Sequence, residues 1–101
     1  MAKRPQRLDE TAIAQALATV PGWRRDGAAI RRQFTFADFR AAFGFMTSVA
    51  AIAEELDHHP DWSNRYREVD VALTTHSAGG LTSLDFELAR RIDAAAAAVP
   101  R

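Results

Sequence analysis

Apolar and polar positions alternate along the chain with two periods, and the period changes at turn-forming residues. Leu8, Ile13, Ala16, Leu17 and Val20 recur at helical spacing. Asp9 stands where a helix cap is needed, and Pro21-Gly22 ends the run. Trp23-Arg24-Arg25 and Ala29 to Phe34 then flank Asp26-Gly27, which predicts a hairpin of two short strands, because glycine tolerates positive φ. Thr35 and Asp38 match a capping box and predict a long helix ending near Asp57. Val69, Val71, Leu73 and Thr75 alternate with Asp70, Ala72, Thr74 and His76, the period of a strand. A partner strand is expected over Trp62 to Tyr66, with Arg67-Glu68 at the turn. Thr82 and Asp85 form a second capping-box match, and Leu84, Leu88, Ile92 and Ala95 share one face of a last helix.

The long helix carries two apolar rows. One runs Phe39, Phe43, Met46, Ala50, Ala53; the other runs Phe45, Val49, Ile52, Leu56. This is more apolar surface than a small sheet needs, which fits either a fully buried core helix or contact with a partner chain. The element order is helix-strand-strand-helix-strand-strand-helix. It predicts an α+β fold, a four-stranded antiparallel sheet with helices on one face. Residues 1–7 are expected to be a flexible N-terminal arm and residues 8–101 a single domain.

Composition narrows the function. The 101 residues include 13 basic and 13 acidic side chains, so the net charge is zero. A nucleic-acid partner is not expected, since phosphate neutralisation needs excess cations. The absence of cysteine rules out disulfides, thiolate nucleophiles and cysteine-based zinc sites. The basic first residues lead into no apolar segment, and no apolar run is long enough to span a membrane, so a cytoplasmic protein is expected.

The chemistry gathers at three histidines. His58 and His59 stand at the predicted end of the long helix, and His76 at the end of the last strand. Imidazole exchanges protons near neutrality, and a helix C-terminus favours a cation. One ring can therefore serve as an acid and another as a base. A shared metal is the competing reading. It is not expected, because adjacent side chains where a helix stops diverge and no pair of histidines stands four apart. The strand phase sets His76 opposite Val71 and Leu73, so convergence on His58 requires the strand to end or bulge first.

Taken together, Glu54, His58, His59, Pro60, Tyr66, His76 and Asp85, with Trp62, Gly22-Trp23, the segment Phe39 to Met46 and the block Val71 to Leu81, resemble the pterin-4a-carbinolamine dehydratase family. The resemblance spans about Leu8 to Ile92. Arg65 and Arg67 beside Tyr66, and the alanine-rich tail, depart from the family pattern. It implies a hydro-lyase that converts 4a-hydroxytetrahydropterin to quinonoid dihydropterin for tetrahydropterin recycling, with no cofactor and no metal. It implies His58, His59 and His76 as the catalytic set, with His58 and His76 the acid–base pair and His59 mainly binding substrate. Asp57, Thr74, Thr75 and Ser77 would border the pterin, partly through backbone groups, with Asp85 and Glu54 in support. Asp85 is expected to orient His76 or to close its capping box. Trp62 and Tyr66 are expected as core or strand partners, and the sequence does not show whether Trp23 sits near the site. The implied partners are a second copy, as a homo-dimer or homo-tetramer, and an aromatic amino-acid hydroxylase pathway. The alternative is a non-enzymatic protein-stabilising module on the same fold.

Overall fold

The computed structural model describes residues 5–100 and has three helices laid on one side of a four-stranded antiparallel sheet. The expected arm falls partly outside the described residues, at 1–4. The elements are α1 (Glu10–Leu17), β1 (Arg24–Asp26), β2 (Ala29–Thr35), α2 (Phe39–Leu56), β3 (Asp61–Arg65), β4 (Glu68–Leu73) and α3 (Ser83–Ala97), with a 3-10 turn over His76–Ala78. Strand order across the sheet is β1-β2-β4-β3, so the two hairpins meet at β2 and β4. The α+β order read from the sequence is the observed one.

Several boundaries differ for local reasons. Helix α1 stops at Leu17 and is capped by Ala18; Thr19 and Val20 form a last tight turn before Pro21. Asp26 pairs with Ala29, so the turn residues are Gly27 and Ala28, with Gly27 at φ +59°. Asp38, not Thr35, caps α2: its carboxylate accepts from the Ala41 N–H at 2.8 Å, while Thr35 stays in β2 opposite Glu68. The β3–β4 turn is Tyr66-Arg67, one residue earlier than expected. Neither residue favours it, and Tyr66 takes φ +52°. The Asn64 side chain compensates by donating to the carbonyls of Tyr66 and Glu68 at 3.0 and 2.9 Å. Tyr66 is consequently exposed and is no core partner, whereas Trp62 packs against the core.

The inner sheet face presents Ile30, Phe34, Val69, Val71 and Leu73, each at most 5% exposed. Phe45 of α2 fills the centre, its ring 5.0 Å from Phe34 and 4.8 Å from Phe36. Burying such a side chain is worth about 1.5–3 kcal/mol, and this surface carries most of the fold's stability. Arg32, on the same strand face, lies over the Phe34 ring at 4.6 Å and donates to Asp93 of α3 at 2.9 Å. Trp23 donates its indole N–H to the same carboxylate oxygen, so it belongs to this structural network and not to the histidines. Gly22 leaves room for this arrangement, since a Cβ there would stand 2.4 Å from the Arg32 guanidinium and push it from its place.

At the other end, Arg25 of β1 grips the Glu10 carboxylate of α1 with two nitrogens. That hydrogen bond and the Arg25 charge hold the Glu10 carboxyl below its ordinary range, and Glu10 raises Arg25 in return. The pair is solvent-exposed, and such pairs add little stability.

Candidate active site

Helix α2 ends in a Schellman turn. Asp57 adopts the left-handed conformation at φ +51°, its N–H bonds the Glu54 carbonyl, and the His58 N–H reaches back to Ala53 at 3.0 Å. The reversal sends the two adjacent imidazoles apart. His58 turns inward and is 7% exposed, while the His59 side chain is 55% exposed. Pro60 then leads directly into β3.

Inside, His58 Nε2 lies 2.6 Å from Asp85 Oδ1. Asp85 is fully buried in the first turn of α3. Its second oxygen accepts from the Thr82 N–H at 2.9 Å, closing the capping box, and from the Thr75 hydroxyl at 2.8 Å. The expected link from Asp85 to His76 is therefore corrected: Asp85 serves His58. The capping box holds the carboxylate against the end of α2, out of reach of the exposed strand end. An ionised Asp85 can only accept, so His58 donates from Nε2; in the neutral ring this leaves Nδ1 as an acceptor. No buried side-chain nitrogen or oxygen among the described residues lacks a partner. With Nε2 bonded to Asp85, Nδ1 is the ring nitrogen left for the hollow described below.

His59 points its Nε2 to Glu54 at 2.5 Å, across the last turn of α2. His76 lies in the 3-10 turn. Strand β4 ends at Leu73, and a lone bridge between Thr75 and Gly80 closes the loop that follows. The strand thus ends before His76, which removes the constraint of strand phase. The His76 ring is 83% exposed, with Nε2 3.5 Å from Asp61 Oδ2.

A hollow of about 340 Å³ results, lined by Asp57, His58, His59, Thr74, Thr75, His76 and Ser77. Every residue named from the sequence as a histidine or a substrate-bordering position reaches it. Glu54 and Asp85 stand behind, each on one imidazole. The Thr74 hydroxyl is committed to the Ala28 carbonyl at 2.6 Å, and the Thr75 hydroxyl to Asp85. What these two residues offer the hollow is backbone. A larger hollow of about 540 Å³, bordered by α1, Arg25 and Gly79-Gly80, contains no histidine.

Asp61 is the member sequence reasoning missed. With it, each imidazole has one carboxylate: Asp85 for His58, Glu54 for His59 and Asp61 for His76. The signal was its place directly after His59-Pro60, as the first residue of a strand paired with Ala72 near the end of β4. A carboxylate hydrogen-bonded to one ring nitrogen orients the ring and leaves the other nitrogen for chemistry, as at His58 and His59, whereas Asp61 and His76 are an exposed pair at 3.5 Å with no hydrogen bond between them. Three imidazoles bordering one cavity are suited to give and take protons at a single bound molecule.

The chain is similar to known proteins over nearly its whole length. The family model for pterin 4 alpha carbinolamine dehydratase matches residues 6–95. A Bradyrhizobium protein named "Putative pterin-4-alpha-carbinolamine dehydratase" is 59% identical over 96 residues, covering 93% of this chain and 96% of its own. A Sinorhizobium fredii protein of the same name is 53% identical over 96 residues, covering 93% and 91%. The crystal structure of a transcriptional coactivator/pterin dehydratase from Brucella melitensis superposes with a TM-score of 0.87 at 48% identity, covering 90% of this chain and 99% of that one. A pterin dehydratase-like protein, identified as a RuBisCO assembly factor in the alpha-carboxysome, superposes with a TM-score of 0.65 at 26% identity, covering 74% and 89%.

Proposed function

The chain belongs to the pterin 4 alpha carbinolamine dehydratase family, and from that premise we propose that it dehydrates 4a-hydroxytetrahydropterin to quinonoid dihydropterin by histidine acid–base catalysis. The observation that carries this reading is the convergence of His58, His59 and His76 on one hollow. The C4a–O bond breaks as the departing hydroxyl takes a proton and leaves as water. A ring N–H gives up a proton and its electron pair forms the new double bond. One imidazole supplies the first proton and another accepts the second. His58, with Nε2–H held by Asp85, fits the base, and His76 beside Asp61 fits the acid. His59 and the backbone of Thr74 and Thr75 bind the pterin edge, with Asp57 and Ser77 at its border. Recycling of tetrahydropterin for an aromatic amino-acid hydroxylase, in the cytoplasm, is the setting this chemistry suits. No helix among the described residues is long and apolar enough to cross a membrane.

The test is a stopped-flow assay of carbinolamine dehydration. Wild type is expected to exceed the buffer rate, and His76→Ala to lose about 10²–10⁴-fold of the enzymatic rate. Its melting temperature should stay close to wild type, because an exposed ring contributes little stability. A wild type no faster than buffer leaves only a non-enzymatic module.

A second copy of the chain is part of the same reading. Phe39 and Phe43 stand 49% and 56% exposed on the outer face of α2, ring against ring at 5.8 Å, beside Gly44, Thr47 and Ala50. Small residues around two aromatic rings allow another helix to approach closely. We expect a homo-oligomer by light scattering and a shift toward monomer in Phe43→Glu. A wild-type monomer at micromolar concentration would remove the claim. A non-enzymatic protein-stabilising module is the second reading, and the two solved relatives, one named a transcriptional coactivator/pterin dehydratase and the other a RuBisCO assembly factor, are what favours it.

A further inference from the structure

Ser77 borders two hollows. One is the histidine hollow. The other, about 330 Å³, has Pro5, Gln6, Arg7 and Ala78 as its remaining walls. A flat bicyclic ring held among the three imidazoles occupies the first, so a substituent on that ring has the second beside it. Small-molecule sites commonly span several hundred Å³ in this way.

The second hollow has a definite charge. Its described lining contains one cation, Arg7, and no carboxylate; Arg7 also borders the larger hollow on its other side, where Asp9 and Glu10 stand. Arg7 is also held in place. The Leu8 N–H bonds the Leu81 carbonyl at 2.8 Å, which ties the arm to the loop after His76. The Arg7 stem then lies against Gly80, where a Cβ would come within 3.0 Å of Cδ and 3.3 Å of Cγ. Among the described residues no carboxylate oxygen lies within salt-bridge distance of Arg7; the same holds for Arg24, Arg40, Arg67 and Arg90, none of which lines a hollow that adjoins the histidines. Gln6 and Ser77 add an amide and a hydroxyl. A guanidinium with a fixed stem and no internal counter-ion beside a substrate hollow is complementary to a carboxylate or phosphate.

We propose that Arg7, with Gln6 and Ser77, forms a specificity subsite for an anionic substituent on carbon 6 of the pterin ring. This rests on the dehydratase reading and adds the class of substrate. The anion, a carboxylate or phosphate, reaches past Ser77 while the ring stays among the histidines.

The experiment compares three pterins whose side chains have equal length and end in hydroxyl, carboxylate or phosphate. Their unreactive oxidised forms are titrated by fluorescence quenching, and the 4a-hydroxy forms are assayed for KM. Wild type should bind at least one anionic compound about tenfold more tightly than the hydroxyl compound, the scale of one charge-assisted hydrogen bond. Arg7→Met keeps the stem on Gly80 and removes the charge, and should bring the ratio close to one. The ratio is taken between substrates within one protein, so a general loss of stability or turnover cancels. The wild-type preference should also shrink in 0.5 M salt, because the cation is exposed. An equal preference in wild type and Arg7→Met, or none in wild type, overturns the subsite. If wild type turns over the hydroxyl compound without discriminating, the subsite alone has failed. If it neither binds nor dehydrates any of the three, the dehydratase reading has failed.

Discussion

Replacing His58 by Ala is expected to cut dehydration by about 10²–10⁴-fold and to destabilise the fold by about 3 kcal/mol in the same step. The two losses share one cause. Asp85 is fully buried and His58 is its partner at 2.6 Å. Removing the imidazole leaves a buried carboxylate with only Thr75 and Thr82 as donors. Removing the donor to a buried carboxylate costs more than the hydrogen bond's net worth, because the remaining charge stays out of water with one partner fewer. For a domain of this size the melting temperature should fall by roughly 12 °C or more. His76→Ala is the internal contrast, with a comparable rate loss and little change in melting. Calorimetry on both variants beside the dehydration assay decides it. A His58→Ala protein that melts with wild type would show that Asp85 does not depend on this ring.

The second large effect is expected from Asp85→Asn. The substitution nearly preserves shape but changes one acceptor into a donor. The Asn oxygen can still accept from Thr82 and Thr75, which turns its NH₂ toward His58. The ring must then accept at Nε2, and its proton moves to Nδ1, the nitrogen assigned to the hollow. The base becomes a donor, and dehydration should fall by about 10²–10⁴-fold. The stability cost is smaller, about 1–3 kcal/mol, since the hydrogen bonds survive without the charge. Nitrogen NMR of the ring separates this from general damage: the proton should sit on Nε2 in wild type and on Nδ1 in the variant. A variant that retains the wild-type tautomer and rate would refute the assignment of His58 as base.

Elements with a strong local signal were legible in the sequence. The β4 alternation of Val69, Val71 and Leu73 against Asp70 predicted the buried face, because side chains on a strand alternate regardless of what lies around them. The Thr82–Asp85 capping box was legible for the same reason, being closed within four residues. The β3–β4 turn was not. Tyr66 and Arg67 are poor turn residues, and the turn is held by the Asn64 side chain, whose role depends on the hairpin already being paired. The α2 cap was misplaced by competition. Thr35 fits a cap by type, but its pairing with Glu68 keeps it in the sheet, and the duty passes to Asp38.

By itself, then, the order of residues determined the helices and strands, the side of the sheet that is buried, and the presence of three proton-carrying rings at element ends. These follow from backbone preferences and hydrophobic period, which act over a few neighbours. Only the tertiary structure decided the pairing of rings with carboxylates. Asp85 lies 27 residues from His58 and reaches it because α3 packs on α2. Asp61 meets His76 because β3 and β4 pair in one register. Distances of that kind depend on how elements settle against each other, and side-chain chemistry along the chain does not encode them singly.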